Sequence, residues 1–387
     1  MEPSDGLSLV VFYFGAFLMP LVAARANVPS AVAEIVYGLA VSALAITHET
    51  PATDFIAELG FIYLMFLVGL EIDFNRIERE GLRTILVASL VALLILAGGV
   101  GVVMLLRMPL FMGLVLGAMS VGVLMVALVE IGASRMRWGQ MILLVGSVGE
   151  LFSLLALAIY GLATAHGVSF ELALAALEAL LLFLVAFVLL ASLRLLVWWF
   201  PHSFQRWVRE EDPSELGVRF GFVLMLGLAT LAASAELEPI LGAFLAGLLF
   251  AYVFRQTGPL ETKLVALGQG FFVPIFFINV GVTFDWGAVA DPASLARSVL
   301  TLAGLSLLVK FVPTLLLVVL RIPFRAVAAG AFLLATPLTL LVAIAALGRE
   351  IGVLDAGTSA AVILLAIVSG VLFPTLFKRL APRGPAE

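Results

Sequence analysis

The stretch that decides the fold is MILLVGSVGELFSLLALAIYG, residues 141–161, in which Glu150 is the only charged side chain. A helix needs about 20 apolar residues to cross roughly 30 Å of hydrocarbon. Lipid offers no partners for backbone polar groups, so only helices and closed barrels span a bilayer. This run is far longer than a barrel strand and therefore predicts a membrane-spanning helix.

The composition extends this interpretation to the whole chain of 387 residues, of which 63% are hydrophobic and 12% charged. Soluble proteins contain about 45–50% apolar and about 25% charged residues. A soluble enzyme, a disordered protein and a nucleic-acid binder are therefore excluded, and the absence of cysteine excludes disulfides and thiolate metal sites. We expect one all-α polytopic membrane domain over residues 1–387 that is not an enzyme, needs no cofactor and has no soluble regulatory domain.

Apolar runs along the chain predict thirteen transmembrane segments. Their approximate spans are 6–24, 29–46, 54–72, 82–105, 109–132, 138–163, 171–200, 215–234, 239–254, 262–283, 297–320, 322–348 and 356–380.

Basic residues predict the orientation of these segments. With the N-terminus outside, 17 of the 21 lysines and arginines fall on the inner side, three fall outside, and Lys310 falls within the membrane. Positive residues favour the cytoplasmic side. We therefore expect an integral membrane protein with its N-terminus outside and its C-terminus in the cytoplasm.

Two pairs of similar stretches indicate an internal repeat. FLVGLEIDF (66–74) ends the third segment and INVGVTFDW (278–286) ends the tenth, while VPSAVAEIVYGL (28–39) and EPILGAFLAGLL (238–249) open the second and ninth. The offset of seven helices is odd, so the two halves have opposite orientation. Inverted repeats of this kind are typical of secondary transporters, whose site lies between the halves.

The same offset pairs two interrupted segments. The fifth contains GAMSVG (117–122) and the twelfth contains ATPLT (335–339), where Pro337 removes a backbone donor. Unwound backbone within a membrane is tolerated where it lines a cavity or an ion path. Interruptions at matching positions of two halves therefore predict a binding site.

Two charges lie near the centres of predicted helices. Glu150 is isolated in the sixth segment, where a carboxylate is costly unless it is hydrated, paired or neutralised. Lys310 lies about ten residues from either end of the eleventh segment, and it could pair with a carboxylate or donate to carbonyls freed in segments five and twelve. The alternative for each charge is a purely structural contact between helices.

Three stretches together resemble the second branch of the monovalent cation:proton antiporter family. They are ELGFIYLMFLVGLEID (58–73), LGAFLAGLLFA (241–251) and GFFVPIFFINVGVTFD (270–285). The resemblance covers about residues 28–378. That branch includes bacterial Na+/H+ antiporters and potassium-efflux antiporters, so the resemblance implies a protein of the bacterial inner membrane.

The resemblance implies a homodimeric exchanger of thirteen helices, in which two broken helices cross beside an ion-binding carboxylate. That carboxylate corresponds to Glu150, the charged partner in the core to Lys310, and the broken helices contain Ser120 and Pro337. Core helices are expected around 82–163 and 297–380, and dimerisation helices around 6–46 and 215–254.

Three positions depart from the family pattern. Sodium-exchanging members usually carry Asp-Asp or Asn-Asp on the sixth helix, and potassium-efflux members carry Gln-Asp, whereas this chain has Gly149–Glu150. Gly122 replaces a common Thr in the first broken helix, and Leu338–Thr339 replaces a common Gly-Glu in the second. The sequence therefore does not decide between Na+ and K+.

We expect an antiporter that exchanges Na+ or K+ for H+ by alternating access, electroneutrally, with Glu150 binding either ion. Hard cations prefer oxygen ligands. The expected additional ligands are Ser120, Ser147, Thr336, Thr339 and Asn279. The alternatives are a cation channel or membrane sensor on this scaffold, and a sodium-coupled carrier of organic solutes.

Overall fold

A computed structural model describes most of the chain. The described residues are 3–47, 49–71, 81–134, 136–166, seven separate positions between 181 and 199, 214–234, 237–253, 258–288 and 291–382. Within them the regular structure is helical and contains no strand. Ten of the described helical segments are long and apolar enough to cross a membrane, and two shorter apolar helices accompany them. The chain is therefore an all-α integral membrane protein, as its composition predicts.

The first half of the chain contains seven helices with defined bounds. They are α1 (Pro3–Ala26), α2 (Ser30–Ala43), α3 (Pro51–Leu70), α4 (Leu82–Leu106), α5 (Phe111–Gly117), α6 (Gly122–Glu130) and α7 (Arg137–His166).

Eight helices follow. They are α8 (Leu216–Ser234), α9 (Pro239–Val253), α10 (Gly258–Leu267), α11 (Val273–Val282), α12 (Pro292–Thr314), α13 (Phe324–Leu334), α14 (Leu338–Glu350) and α15 (Ala356–Leu380). A π-helical turn, Gly268–Phe272, joins α10 to α11, and a 3-10 turn, Leu315–Leu320, extends α12.

Twelve of the thirteen predicted segments coincide with these helices or with pairs of them. The seventh, 171–200, lies outside the described residues except for the seven separate positions. The total of thirteen therefore stays a prediction.

The chain divides into two compact units. The first comprises Met1–Ala16, Glu49–Arg79 and Ala158–Asn279, and the second comprises Phe17–His48, Glu80–Leu157 and Val280–Glu387. The second unit contains both interrupted segments, the first part of α7 and all of α12. The assignment of core and dimerisation helices stays a prediction.

Glycine pairs allow close helix packing in each unit. In the first unit α3 packs on α9, where a Cβ added to Gly69 would lie 3.0 Å from the Cα of Gly247. In the second, a Cβ added to Gly281 would lie 2.8 Å from the Cα of Gly38 on α2. Small residues let membrane helices approach this closely. Segment three thus packs on segment nine. Segment ten, the repeat counterpart of segment three, packs on segment two, the counterpart of segment nine. The same contact therefore occurs twice, as an internal repeat predicts.

The two interruptions lie where the sequence predicts them. Residues 118–121 separate α5 from α6, and residues 335–337 separate α13 from α14. Pro337 has no N–H, and its backbone (φ −80°, ψ 59°) leaves the helical region. Each interruption leaves the ends of two half-helices inside the protein, with backbone groups that need other partners.

Candidate functional site

The two interruptions meet through a pair of hydroxyl groups. Ser120 Oγ, from the first, lies 3.1 Å from Thr339 Oγ1, in the first turn of α14. Ser120 is buried and Thr339 is partly buried. The structure thus brings together two residues that are 219 positions apart in the chain.

Glu150 joins this pair from the middle of α7. Ser120 Oγ donates a hydrogen bond of 2.7 Å to Glu150 Oε1, and the Val121 N–H donates one of 3.3 Å to Oε2. Val121 is the residue that precedes α6, so the carboxylate lies at the N-terminal end of that half-helix. The helix dipole favours negative charge there. Glu150 is only 1% exposed, so these donors replace the water that a carboxylate normally binds.

A second contact fixes the first interruption against α7. The Met119 N–H donates to Ser153 Oγ at 3.3 Å, and Ser153 Oγ donates to the Gly149 carbonyl at 2.7 Å. Ser153 therefore holds the backbone of the interruption beside the carboxylate. Ser153 is not among the residues predicted from the sequence, although its position three residues after Glu150 places it on the same helix face.

Lys310 lies at the opposite end of the same interruption. Its side chain is completely buried, and Nζ donates to the Leu116 carbonyl at 2.6 Å and to Ser306 Oγ at 2.8 Å. Leu116 belongs to the last turn of α5, where the helix dipole favours positive charge. The sequence left open a carboxylate or a carbonyl of an interrupted segment as the partner, and the structure provides the carbonyl of segment five.

The position before Glu150 is filled by a neighbouring side chain. A Cβ added to Gly149 would lie 2.5 Å from Met119 Sδ and 2.6 Å from its Cε. Met119 is fully buried. The sulfur and methyl group of Met119 thus occupy the space in which a side chain at position 149 would begin.

Of the other three predicted ligands, two bond to nearby carbonyls and the third belongs to the first unit. Ser147 Oγ donates to the Leu143 carbonyl at 3.0 Å and Thr336 Oγ1 to the Leu333 carbonyl at 2.5 Å, so both hydroxyls bond within their local backbone. Asn279 is buried on α11 and is the last residue of the first unit, whereas the Glu150 cluster belongs to the second. Their roles as ligands stay predictions.

The arrangement offers oxygen atoms to a small hard ion. Glu150, Ser120 and Thr339 supply a carboxylate and two hydroxyls in one hydrogen-bonded group. Within the described part of the chain, no group of three or more His, Cys, Asp or Glu side chains could hold a metal ion. The chemistry therefore suits a monovalent cation or a proton, since one carboxylate balances one charge.

The family profile described as "Sodium/hydrogen exchanger, transmembrane" matches residues 13–381. The chain therefore belongs to the sodium/hydrogen exchanger family of transmembrane transporters. This agrees with the resemblance carried by the three quoted stretches.

Two relatives are similar in sequence over almost the whole of this chain. YjbQ of Bacillus subtilis, whose name assigns Na+/H+ antiport only provisionally, is 32% identical over 99% of this chain. The chain spans 64% of the length of YjbQ. The high-affinity Na+/H+ antiporter NhaS3 of Synechocystis is 26% identical over 95% of this chain and 88% of its own.

A solved structure shares the fold. The sodium proton antiporter MjNhaP1 from Methanocaldococcus jannaschii matches with a TM-score of 0.64 and 15% identity, over 97% of this chain and 94% of that chain. The match supports the all-helical fold described above.

Proposed function

We propose that this protein exchanges a monovalent cation for H+ across the membrane, with Na+ as the expected cation and K+ as the alternative. The observation that carries the proposal is the buried Glu150 carboxylate, which accepts hydrogen bonds from Ser120 and from the Val121 N–H between two half-helices. The names of YjbQ and NhaS3 support Na+ as the exchanged ion.

The burial of Glu150 couples the movement of the cation to the movement of the proton. A bare carboxylate in a low-dielectric interior is costly, whereas a protonated or cation-bound one carries no net charge. The site therefore changes its exposure to the two sides of the membrane when it holds either ion, and much less readily when it is empty. Competition of H+ and cation for one carboxylate then produces exchange by alternating access.

We propose that the exchange is electroneutral. Glu150 is the one carboxylate of the described cluster, and Gly149 stands where a second acid occurs in related sodium exchangers. We propose that Lys310, whose Nζ donates to the Leu116 carbonyl at the C-terminal end of α5, is not the exchanged group. One proton is then exchanged for one cation.

The channel and the solute carrier, two of the alternative functions, make different demands on the site. A channel needs no competition between ions at a neutralised carboxylate, and a carrier of organic solutes needs several polar groups around a larger cavity. The cluster around Glu150 consists of one carboxylate and small hydroxyls, which suits a bare cation better than an organic solute.

Purified protein in proteoliposomes tests exchange against both alternatives. With an imposed pH gradient, an antiporter releases protons only when Na+ or K+ is added to the opposite compartment. Proton movement without a counter-cation would indicate a channel. Sodium flux that depends on an organic solute, with no coupled proton movement, would indicate the solute carrier.

The orientation and assembly belong to the same proposal. We place the protein in the bacterial inner membrane as a homodimer, with the N-terminus outside and the C-terminus inside. The chain lacks cysteine, so a single cysteine introduced near either terminus reports its side through an impermeant maleimide. Labelling of both termini from the same side would contradict the orientation, and a single-subunit mass in detergent would contradict the dimer.

A further inference from the structure

A basic cavity lies in the second unit, at the ends of three helical elements. It has a volume of about 510 Å³ and is lined by Arg83 and Thr84 at the start of α4, Arg137 in the first turn of α7, and Val319 and Arg321 at the end of the 3-10 turn. No acidic side chain of the described residues lines it. Cavities of roughly 300–1,000 Å³ commonly hold small ligands.

The three arginines concentrate positive charge that the described protein does not balance. The ion pairs described in the structure join Lys263 to Glu215 and Lys378 to Glu130, and none of them includes an arginine of this cavity. Like charges in one cavity repel one another, so an anion bound between them lowers the electrostatic energy. The planar guanidinium group matches the oxygen geometry of phosphate with two parallel hydrogen bonds.

Two helix N-termini add to this positive potential. Helices α4 and α7 both begin at the cavity, and neither has an acidic residue in its first turn. Gly81, the residue that precedes α4, provides no side-chain cap for its first N–H groups. Helix N-termini attract anions through these N–H groups and the helix dipole.

The surface beside the cavity is apolar. Val319, which lines the cavity, is 75% exposed, and Leu82, next to Arg83, is 72% exposed. Exposed apolar side chains next to arginines are typical of the boundary between hydrocarbon and headgroups. A phosphate bound by the arginines would therefore lie close to the acyl region of the bilayer.

We propose that this cavity binds a phosphate group, carried either by an anionic lipid headgroup or by a soluble phosphate. The contacts are salt bridges from Arg83, Arg137 and Arg321. The site is separate from the Glu150 cluster and does not depend on the exchange function.

The test is a binding titration of the detergent-purified full chain, by native mass spectrometry and by thermal shift. Phosphatidylglycerol is the lipid probe, phosphatidylcholine its zwitterionic control, and inorganic phosphate the soluble probe. Phosphatidylglycerol binding without phosphate binding identifies the lipid headgroup, and binding of inorganic phosphate with similar affinity identifies the soluble ion. Failure of both to bind would overturn the proposal.

Arginine variants locate the site. Each basic residue near anionic lipid contributes about 1 kcal/mol, so R321Q should weaken binding about fivefold and the R83Q/R137Q double variant about 25-fold. The matched control is R107Q, because Arg107 and Arg321 both end helical elements with left-handed backbone (φ 56° and 62°) and Arg107 lies at the other end of α4. Equal binding by the R83Q/R137Q variant and R107Q would overturn the proposal.

Discussion

The side chain of Met119 occupies the space beside Gly149, so that a Cβ at position 149 would lie 2.5 Å from Met119 Sδ. This contact is a physical reason for glycine at the position before Glu150, because any side chain there would meet Met119. The end of a methionine side chain is flexible, but Met119 is fully buried and its Cβ, which is fixed to the backbone, would lie 3.1 Å from the added Cβ. The proposed site therefore combines a single acid with a buried methionine.

Replacement of Gly149 tests this packing. We expect Gly149→Ala to lower the free energy of unfolding by about 1–3 kcal/mol, which is typical of overpacking. Gly161→Ala is the matched control on the same helix, because nothing lies within 4 Å of a Cβ added there, and it should be neutral or stabilising by up to about 1 kcal/mol. Thermal unfolding in detergent measures both.

A double-mutant cycle identifies the cause. Met119→Ala removes the sulfur and methyl group that the new Cβ meets, so Gly149→Ala should cost much less in that background. An unchanged cost would mean that Met119 is not the obstacle.

Ser120 is predicted to set the affinity for the cation. Ser120→Ala removes the 2.7 Å hydrogen bond to Glu150 Oε1 and one candidate oxygen ligand. Since Ser120 is also a candidate oxygen ligand, its loss from the cation-bound site should cost about 1.5–3 kcal/mol, the size of an interaction with a charged group, and the cation concentration for half-maximal exchange should rise about tenfold or more. Ser147→Ala is the control, because its hydroxyl bonds to the Leu143 carbonyl of its own helix. A larger effect in Ser147→Ala would place the ligand there.

Lys310 is predicted to stabilise the protein without being exchanged. Lys310→Met removes the donor to the Leu116 carbonyl and should cost about 1–3 kcal/mol, the penalty for an unsatisfied buried group. Lys378→Met breaks a partly exposed ion pair with Glu130 and should cost about 1 kcal/mol or less. Thermal unfolding compares the two variants. A stable Lys310→Met protein that exchanges with a different proton stoichiometry would show that the lysine carries a proton.

Much of this site could be predicted from sequence because its elements are local signals. Glu150 is conspicuous as one charge in a long apolar run, and Pro337 marks an interruption by its own backbone chemistry. The repeated motifs around Gly69 and Gly281 predict an internal repeat, whereas the contacts of these glycines with Gly247 and Gly38 come from the structure. The charge, the proline and the repeat need no knowledge of how the helices are rotated against one another.

The contacts that complete the site depend on helix rotation and distance. Lys310 and Leu116 are 194 residues apart, and the partner is a backbone carbonyl that no residue type reveals. The Met119 N–H donates to Ser153 Oγ because the first interruption lies against α7. Ser147 and Thr336, chosen as ligands by residue type, bond to local carbonyls in the structure, and their roles as ligands stay predictions.

The stoichiometry is predicted to be one proton for one cation. If two protons were exchanged, each turnover would move one net charge, worth about 2.3 kcal/mol per 100 mV. That would shift the equilibrium cation gradient about fiftyfold per 100 mV, whereas electroneutral exchange leaves it unchanged. Recording on a solid-supported membrane measures this difference. A Na+-dependent current above that of protein-free membranes would contradict one-for-one exchange.

The most direct test of the central claim is cation-dependent proton flux through Glu150→Gln in proteoliposomes. Glutamine keeps the size of the side chain but neither ionises nor neutralises a cation. Glu130→Gln is the matched control, because this acid ends α6 and pairs with Lys378 at 2.7 Å. We predict that Glu150→Gln folds normally and loses Na+- and K+-dependent proton flux, while Glu130→Gln retains it. Normal flux through correctly folded Glu150→Gln protein would contradict the account.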